Sequence, residues 1–475
     1  MRNVKNLNED TIVAVSTPVG EGGIGIVRMS GRAAVKIADR IFISRDKKKP
    51  SKFKSHTIHY GYVIRSEKRK AKNAKHGKEI IDEVLLTVMK APKTYTKEDV
   101  VEINCHGGIV AVRKVFEILV RNSARPASPG EFTRRAFLNG RIDLAQAESV
   151  LDIIKSKTDA GLRASLNQLE GDLSGEIRIV REKIIKICAD IEGSIDFPEE
   201  DIDADTAGSW LRDVKGCKSN LEKLLNTYHD GAILKEGIVA VICGRPNVGK
   251  SSLLNLLLKK HRAIVTHIPG TTRDPIEETA SIRGIPIRLV DTAGIRKERN
   301  IVEKEGIKRS HLYLSRADLI ICVLDGSEKL KKEDMEILNK VNNRSTVIVI
   351  NKCDLRPKAR MEEIRKIMKN GDILKVSCID KIGIDKLEER IYNKVWSGKV
   401  NSSNEVMVNN IRHKGAIESA VEALSKAEEA ITHNISPEFV ASDIKRCADS
   451  LGEITGEIYT DDILNAIFSR FCIGK

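Results

Sequence analysis

The sequence predicts a multidomain chain: an α/β domain first, an all-α domain split into two stretches, and a second α/β domain inserted between them. Three observations carry this. The chain has 475 residues, too many for one core, and about three domains is the expectation at that length. Short β-rich runs punctuated by glycine fill residues 1–122, whereas apolar residues recur at i, i+3, i+4 and i+7 on both sides of the middle. Between the helical stretches stands a β-rich run, a glycine loop and a leucine-rich helical pattern, IVAVICGRPNVGKSSLLNLLL, at 238–258.

The N-terminal elements come first. TIVAVST, GIGIVRMS, EVLLTVM and DVVEINCHGG read as strands, with helical patterns at 31–40 and 108–121. GEGGIG at 20–25 reads as a glycine hairpin and not as a phosphate loop, because no Gly-Lys-Ser/Thr follows it. Residues 123–234 read as helical, and the pattern returns in IESAVEALSKAEEAI (417–431) and FVASDIKRCADSLGEI (439–454). The last stretch, 399–475, is thin for a core of its own. It is expected to pack on 123–234, which makes 235–398 an insertion in one discontinuous helical domain.

The totals exclude several classes. No apolar run approaches the roughly 18 residues of a membrane helix, and the first residues lack the apolar core of a signal peptide. The nine cysteines are never spaced CxxC, which fits a reducing compartment and argues against disulfides and a zinc site. A cytoplasmic, bacterial setting is expected. The net charge of +14 permits a polyanionic partner such as RNA. The lysine runs DKKKP and SEKRKAKNAKHGK fit solvated loops at least as well.

The insertion carries the chemistry. Gly244 to Ser251 spells GxxxxGKS between a strand and a helix, the setting in which backbone N–H groups and a helix N-terminus close on phosphate oxygens. Lys250 is expected on the β- and γ-phosphates and Ser251 on Mg²⁺. Thr271-Thr272-Arg273-Asp274 follows Pro269-Gly270 in a polar loop that can order around Mg²⁺ through Thr272. IRLVDTAG ends in Asp291, Thr292, Ala293 and Gly294, placing a carboxylate near Mg²⁺ and an amide near the γ-phosphate. TVIVINKCD ends in Asn351, Lys352 and Asp354. The Asp354 carboxylate can accept two hydrogen bonds from guanine, which adenine does not offer on that edge, so the nucleotide is GTP. Ser377, Cys378 and Ile379 offer a base-lining loop. Ile295 stands where many small GTPases carry a water-orienting glutamine. Glu303 is a candidate substitute, and is equally readable as a solvated acid at a helix start. With no arginine finger evident in the phosphate loop, Asn247 is read as a K⁺ ligand completed by carbonyls of 266–271, or as a turn residue.

These motifs, together with TIVAVSTPVGEGGIGIVRMSG, SPGEFTRRAFLNGRIDLAQAE, IDFPEEDID, LGEITGEIYTDDIL and the terminal FCIGK, resemble the MnmE (TrmE) family of tRNA modification GTPases over essentially the whole chain. The resemblance implies a fold of three parts: an N-terminal tetrahydrofolate-binding-like and dimerisation domain (1–122), a discontinuous helical domain (123–234 and 399–475), and an inserted Ras-like P-loop G domain (235–398). It implies GTP hydrolysis stimulated by K⁺ and controlled by G-domain dimerisation, in a homodimer. With MnmG, an FAD enzyme, such proteins add an aminomethyl or carboxymethylaminomethyl group at C5 of the wobble uridine of certain tRNAs. The carbon comes from a folate, and 5-formyltetrahydrofolate is the bound form.

Residue by residue, the family's nucleotide positions fall on Asn247, Val248, Gly249, Lys250, Ser251 and Ser252, on Thr266, His267, Ile268, Pro269, Gly270, Thr271 and Thr272, and on the motifs above. K⁺ positions fall on Asn247, Thr266, Ile268 and Thr271, Mg²⁺ positions on Ser251 and Thr272, and the water-orienting acid on Glu303. Folate positions fall on Arg28, Glu102, Arg141 and Lys475; family members often carry Lys where this chain has Arg141. Cys472 is expected to be held in that site for chemistry, against the plain reading of a small buried hydrophobe beside a loose Lys475. Cys fourth from the end is also a prenylation spacing, but a final Lys is not a usual signal. Two other classes remain readable: an RNA-binding ribosome-assembly switch without modification chemistry, and a folate protein with an incidental GTPase.

Overall fold

The β-branched runs of the first part pair into a seven-stranded sheet of β1 (Ile12–Val15), β2 (Gly25–Ser30), β3 (Phe42–Ser44), β4 (Thr57–Ser66), β5 (Lys78–Met89), β6 (Val100–Cys105) and β7 (Arg125–Pro126). Its order is β3-β4-β5-β6-β2-β1-β7. These coordinates come from a computed structural model, which describes residues 10–66, 78–196, 204–261, 277–291, 313–359, 361–368, 371–396 and 406–475. Two units result: residues 1–151 with 455–475, and residues 152–454.

In the first unit, period-2 patterning puts Val27, Met29, Val101 and Ile103 on the face covered by helices Ala34–Ile41 and Ile109–Arg121. On the opposite side Ile12 and Ala14 of β1 pack on Phe132. The glycine run between β1 and β2 is a hairpin connection, since those strands pair antiparallel with Val15 opposite Val27. The sequence reading placed residue 123 in a helical domain. Instead Arg125 and Pro126 pair parallel with β1 at the sheet edge, where a residue without an N–H is tolerated. The helices Glu131–Leu138 and Asp461–Phe468 belong to this unit as well, with Phe137, Leu144, Leu464, Phe468 and Phe471 in one apolar cluster.

In the second unit the expected helical stretches meet. Helix Ala204–Asn226 packs along Ile411–Thr432, with Lys218 paired to Glu428 at 3.0 Å. The Arg181 guanidinium donates to the Ala448 carbonyl at 3.0 Å. The connections into and out of the inserted domain run side by side. The Val408 N–H donates to Thr227 Oγ1 at 3.0 Å, and a Cβ on Gly231 would lie 2.3 Å from the Val408 carbonyl oxygen. The insertion holds a six-stranded sheet of β8 (Ile238–Cys243), β9 (Glu277–Ile282), β10 (Ile285–Asp291), β11 (Leu319–Asp325), β12 (Thr346–Asn351) and β13 (Asp372–Lys375), ordered β13-β12-β11-β8-β10-β9. All neighbours are parallel except β9 and β10. The strands β11 and β12 are buried along their whole length, as a sheet covered on both faces requires.

One charged knot is buried in the first unit. Arg135, 2% exposed, donates to Asp10, Glu98 and Glu131, and Arg125 bonds Asp10 and Glu131 beside it. Burial pushes the Asp10 and Glu131 carboxyls up, but hydrogen bonds and charge from Arg125 and Arg135 outweigh it, so both lie below their ordinary values. A depressed carboxylate contributes stability above its ordinary value, 4.5 for Glu131 and 3.8 for Asp10, and that stability is lost as pH falls through the depressed values. Urea unfolding of this unit, followed from about pH 6 to pH 3, is expected to show a midpoint that falls only below those ordinary values.

Candidate functional site

The strand β8 ends against Gly244, whose φ of +149° and missing Cβ let the chain pass the Val323 carbonyl oxygen; a Cβ would sit 2.3 Å from it. The loop then turns through Asn247 (φ 63°) and Gly249 (φ 99°) into helix Lys250–His261. The buried Lys250 ammonium reaches back across the loop to the carbonyls of Gly244 (2.9 Å) and Arg245 (2.8 Å). Ser251 and Ser252 are exposed on the helix's first turn. The Arg245 guanidinium is occupied by Glu328 and by Asp334 at 3.1 Å.

One side chain ties three motifs together. Asn351, 3% exposed, donates from Nδ2 to the Val248 carbonyl at 2.9 Å and accepts at Oδ1 from the Cys378 N–H at 3.2 Å. Its Nδ2 fills the place a Cβ on Gly249 would need, 2.2 Å away. Lys352 pairs with Asp325 at 2.6 Å. Ser377 is buried, and its Oγ accepts from the Asp380 N–H at 3.1 Å. Asp354 is exposed and lies close enough to Cys378 to act on its thiol. Burial pushes that thiol up to about 11, with the Asp354 and Cys353 charges adding to it. Ile379 is 81% exposed at the same mouth. The backbone of Asp291 pairs with Ile242, at the strand end that feeds the glycine loop.

A second assembly forms in the first unit. Arg28 of β2 sits opposite Glu102 of β6, and the two pair at 2.7 Å, each about one-fifth exposed. The same guanidinium donates to the Gly474 carbonyl at 3.3 Å, and Ser16 Oγ donates to it at 3.4 Å. Gly474 has φ +97°, and a Cβ there would come within 2.6 Å of the Val15 carbonyl oxygen. Phe471, 5% exposed, anchors the tail beside Phe468. The Lys475 ammonium is pushed down by burial and by Arg28, while Glu102 and Cys472 pull the other way. Arg141 lies over the Tyr95 ring, 4.7 Å from its centroid, and Arg28 over Phe132 at 5.8 Å. Burial raises the Tyr95 hydroxyl, against a hydrogen bond shared with Thr133 and the charges of Arg141 and Arg28. Five cationic or aromatic groups thus share one neighbourhood with a carboxylate, a donor set suited to a ligand with both anionic and hydrogen-bonding ends.

Comparison with known proteins decides the family. The profile "GTP-binding protein TrmE N-terminus" matches residues 11–141, and "MnmE helical domain" matches 144–472. The chain belongs to the MnmE (TrmE) family. A tRNA modification GTPase MnmE of Alkaliphilus oremlandii is 46% identical over 98% of this chain and 99% of its own length. That of Alkaliphilus metalliredigens is 47% identical over the same shares. Among solved structures, the Era protein of Aquifex aeolicus bound to GDP and AlF₄⁻ is 27% identical over 39% of this chain and 65% of its own, with a TM-score of 0.28.

Against the family's pattern, the structure brings Arg28, Glu102 and Lys475 together, with Arg141 reached through Tyr95. The Cys472 side chain is exposed, not the small buried hydrophobe of the plain reading, and it lies close enough to Lys475 to act on its ammonium; the tail's anchors are Phe471 on one side and Gly474 on the other. The Cys472 carbonyl accepts from the Gly130 and Lys475 N–H groups, both at 3.4 Å. Lys475 is half-buried, not loose. In the G domain, Asn247, Val248 and Gly249 form a loop that runs into the helix begun by Lys250, Ser251 and Ser252, and Asn351, beside Lys352 and Asp354, ties that loop to the Ser377, Cys378, Ile379 loop. Thr266, His267, Ile268, Pro269, Gly270, Thr271, Thr272, Thr292, Ala293, Gly294 and Glu303 lie outside the described residues, as does the side chain of Asp291. Sequence reasoning missed Tyr95 and Phe132, for which no local signal exists. It also missed Gly474, whose signal was a glycine between two otherwise ordinary tail residues.

The raised Cys378 thiol yields a test. Iodoacetamide labelling of Cys378, read by peptide mass spectrometry, is expected to keep accelerating beyond about pH 9.5, where an ordinary thiol has levelled off. Asp354→Asn is expected to move that profile to lower pH, since it removes a negative charge that disfavours the thiolate.

Proposed function

We propose that the protein is a GTP-hydrolysing tRNA modification enzyme. With MnmG it adds an aminomethyl or carboxymethylaminomethyl group at C5 of the wobble uridine, from a folate-carried one-carbon unit. The observation that carries this reading is the folded-back tail: the Gly474 carbonyl on Arg28, with Arg28 paired to Glu102 and Lys475 beside them. A tail that merely ended the chain would have no reason to bury Phe471 and present a lysine to a charged pair.

The donor set fits a folate. Arg28, Arg141 and Lys475 are cations for its carboxylates, and Glu102 is an acceptor for its pterin amino group. When bound, the folate supplies the one-carbon unit. This chain's residues bind and orient it, and the Tyr95 and Phe132 rings offer apolar faces under the two arginines. The G site fits GTP by the same reasoning. The glycine loop turns tightly against Val323 and Asn351 and runs into a helix N-terminus, the setting that binds phosphate, and Asp354 stands beside the Cys378 loop. Ser251 and Thr272 would hold Mg²⁺; Asn247 with the Thr266, Ile268 and Thr271 carbonyls would hold K⁺, which supplies positive charge where an arginine finger otherwise acts. Lys250 neutralises phosphate charge, and Glu303 orients the attacking water. The protein works as a homodimer in the cytoplasm, with G-domain pairing controlling hydrolysis.

Removal of Cys472–Lys475 is expected to abolish wobble modification, read as modified nucleosides by mass spectrometry of tRNA from a complemented deletion strain, while GTP turnover persists. Unchanged modification would remove the tail from the reaction. GTP turnover in KCl is expected to exceed that in NaCl at matched ionic strength, and Asn247→Ala to cost about a hundredfold of the KCl rate. Equal rates in the two salts would sink the K⁺ assignment.

A further inference from the structure

The loop between β3 and β4 reads RDKKKPSKFK at 45–54, six basic side chains against one acidic. A run of this kind is most often a solvated, mobile face. Here its backbone is fastened at every turn. The Lys47 N–H donates to the Ser44 carbonyl at 3.0 Å, and Ser44 Oγ donates to the Lys48 carbonyl at 2.9 Å. A short turn at Pro50–Lys52 is closed by the Phe53 N–H on the Pro50 carbonyl at 3.0 Å. The Ser51 N–H donates to Asp39 at 2.8 Å, and the Lys90 ammonium donates to the Phe53 carbonyl at 2.8 Å. Pro50 and Phe53 are buried, with the Phe53 ring stacked on His59. What the loop offers outward is Lys47, Lys48, Lys49, Lys52 and Lys54, all exposed and none in an ion pair among the described residues. A rigid backbone presenting unpaired cations is pre-organised for a polyanion.

The register places this loop relative to the candidate folate site. Ile58 is opposite Thr87, Thr87 opposite Glu102, and Glu102 opposite Arg28. Residues directly opposite share a face, so one cross-strand row runs from Arg28 to the start of β4, where the lysine loop joins. Three strand spacings put the two ends about 15 Å apart. A nucleic-acid strand carries a phosphate every ~3.4 Å of rise, so a base presented to a folate at Arg28 has flanking phosphates within reach of the lysines. An anionic membrane is the other polyanion to weigh, but surface-anchored segments insert apolar side chains, and those of this loop are buried under it.

We propose that the 45–54 loop is a docking surface for the phosphate backbone of tRNA, gripping the strand next to the base that is brought up to the folate at the Arg28–Glu102 site. The inference rests on the reading that tRNA is the substrate. The test uses the full chain and a synthetic anticodon stem-loop RNA with uridine at the wobble position, titrated over a series of KCl concentrations. Combined Lys48→Gln, Lys49→Gln, Lys52→Gln and Lys54→Gln is expected to weaken binding tenfold or more, and to lower the slope of log affinity against log salt by about three. The four Lys→Arg replacements are expected to keep both, and equal neutralisation at Lys329, Lys332, Lys340 and Lys366 to change neither. An unchanged slope in the loop variant, or equal losses in the two neutralised variants, overturns the proposal. So does binding of wild type to phosphatidylserine vesicles that the loop variant loses while its RNA slope stays the same. A wild-type protein without salt-dependent affinity for the RNA overturns the substrate reading itself.

Discussion

The first unit is organised around the charge on Arg28. A half-buried guanidinium needs partners on several sides, because an unpaired charge out of water costs far more than any single contact returns. Glu102 supplies one from the neighbouring strand, and the Gly474 carbonyl supplies another from 446 residues away in sequence. The second partner arrives only if Phe471 is buried and Gly474 adopts a left-handed turn against Val15. Sheet register, tail packing and backbone conformation at one glycine therefore converge on a single ion.

The G domain rests on a different constraint, the close approach of the glycine loop to neighbouring strand ends. A Cβ on Gly244 would collide with the Val323 carbonyl oxygen, and one on Gly249 with the Asn351 amide. The buried strands β11 and β12 fix where Asp325 and Asn351 emerge, so the loops at their ends inherit rigid footings. The lysine pair to Asp325 adds a local tether but no catalytic group.

Legibility in the sequence followed the locality of the chemistry. GxxxxGKS and NKCD were readable because phosphate and guanine recognition demand residue types at fixed spacing in one short segment. The strands β2, β5 and β6 were readable from their β-branched runs. The strands β3 and β4 were not, because SKFKSHTIHYGYVIR mixes charges, glycine and histidines along a strand with a partly exposed face. Pro126 hid β7, since two residues with a proline carry no strand pattern. Arg28, Glu102, Tyr95 and Lys475 could not be joined from their own spacing at all. They meet through strand register and the returning tail, and only the family resemblance had placed three of them together beforehand.

Asn351 has one further consequence. The same amide holds the glycine loop proposed to wrap the phosphates and the Cys378 loop proposed to line the base. Loosening either end slackens the other, so the two halves of a bound nucleotide would be released in concert. The lifetime of the spent diphosphate on the protein would then be set by one small side chain that need touch neither half.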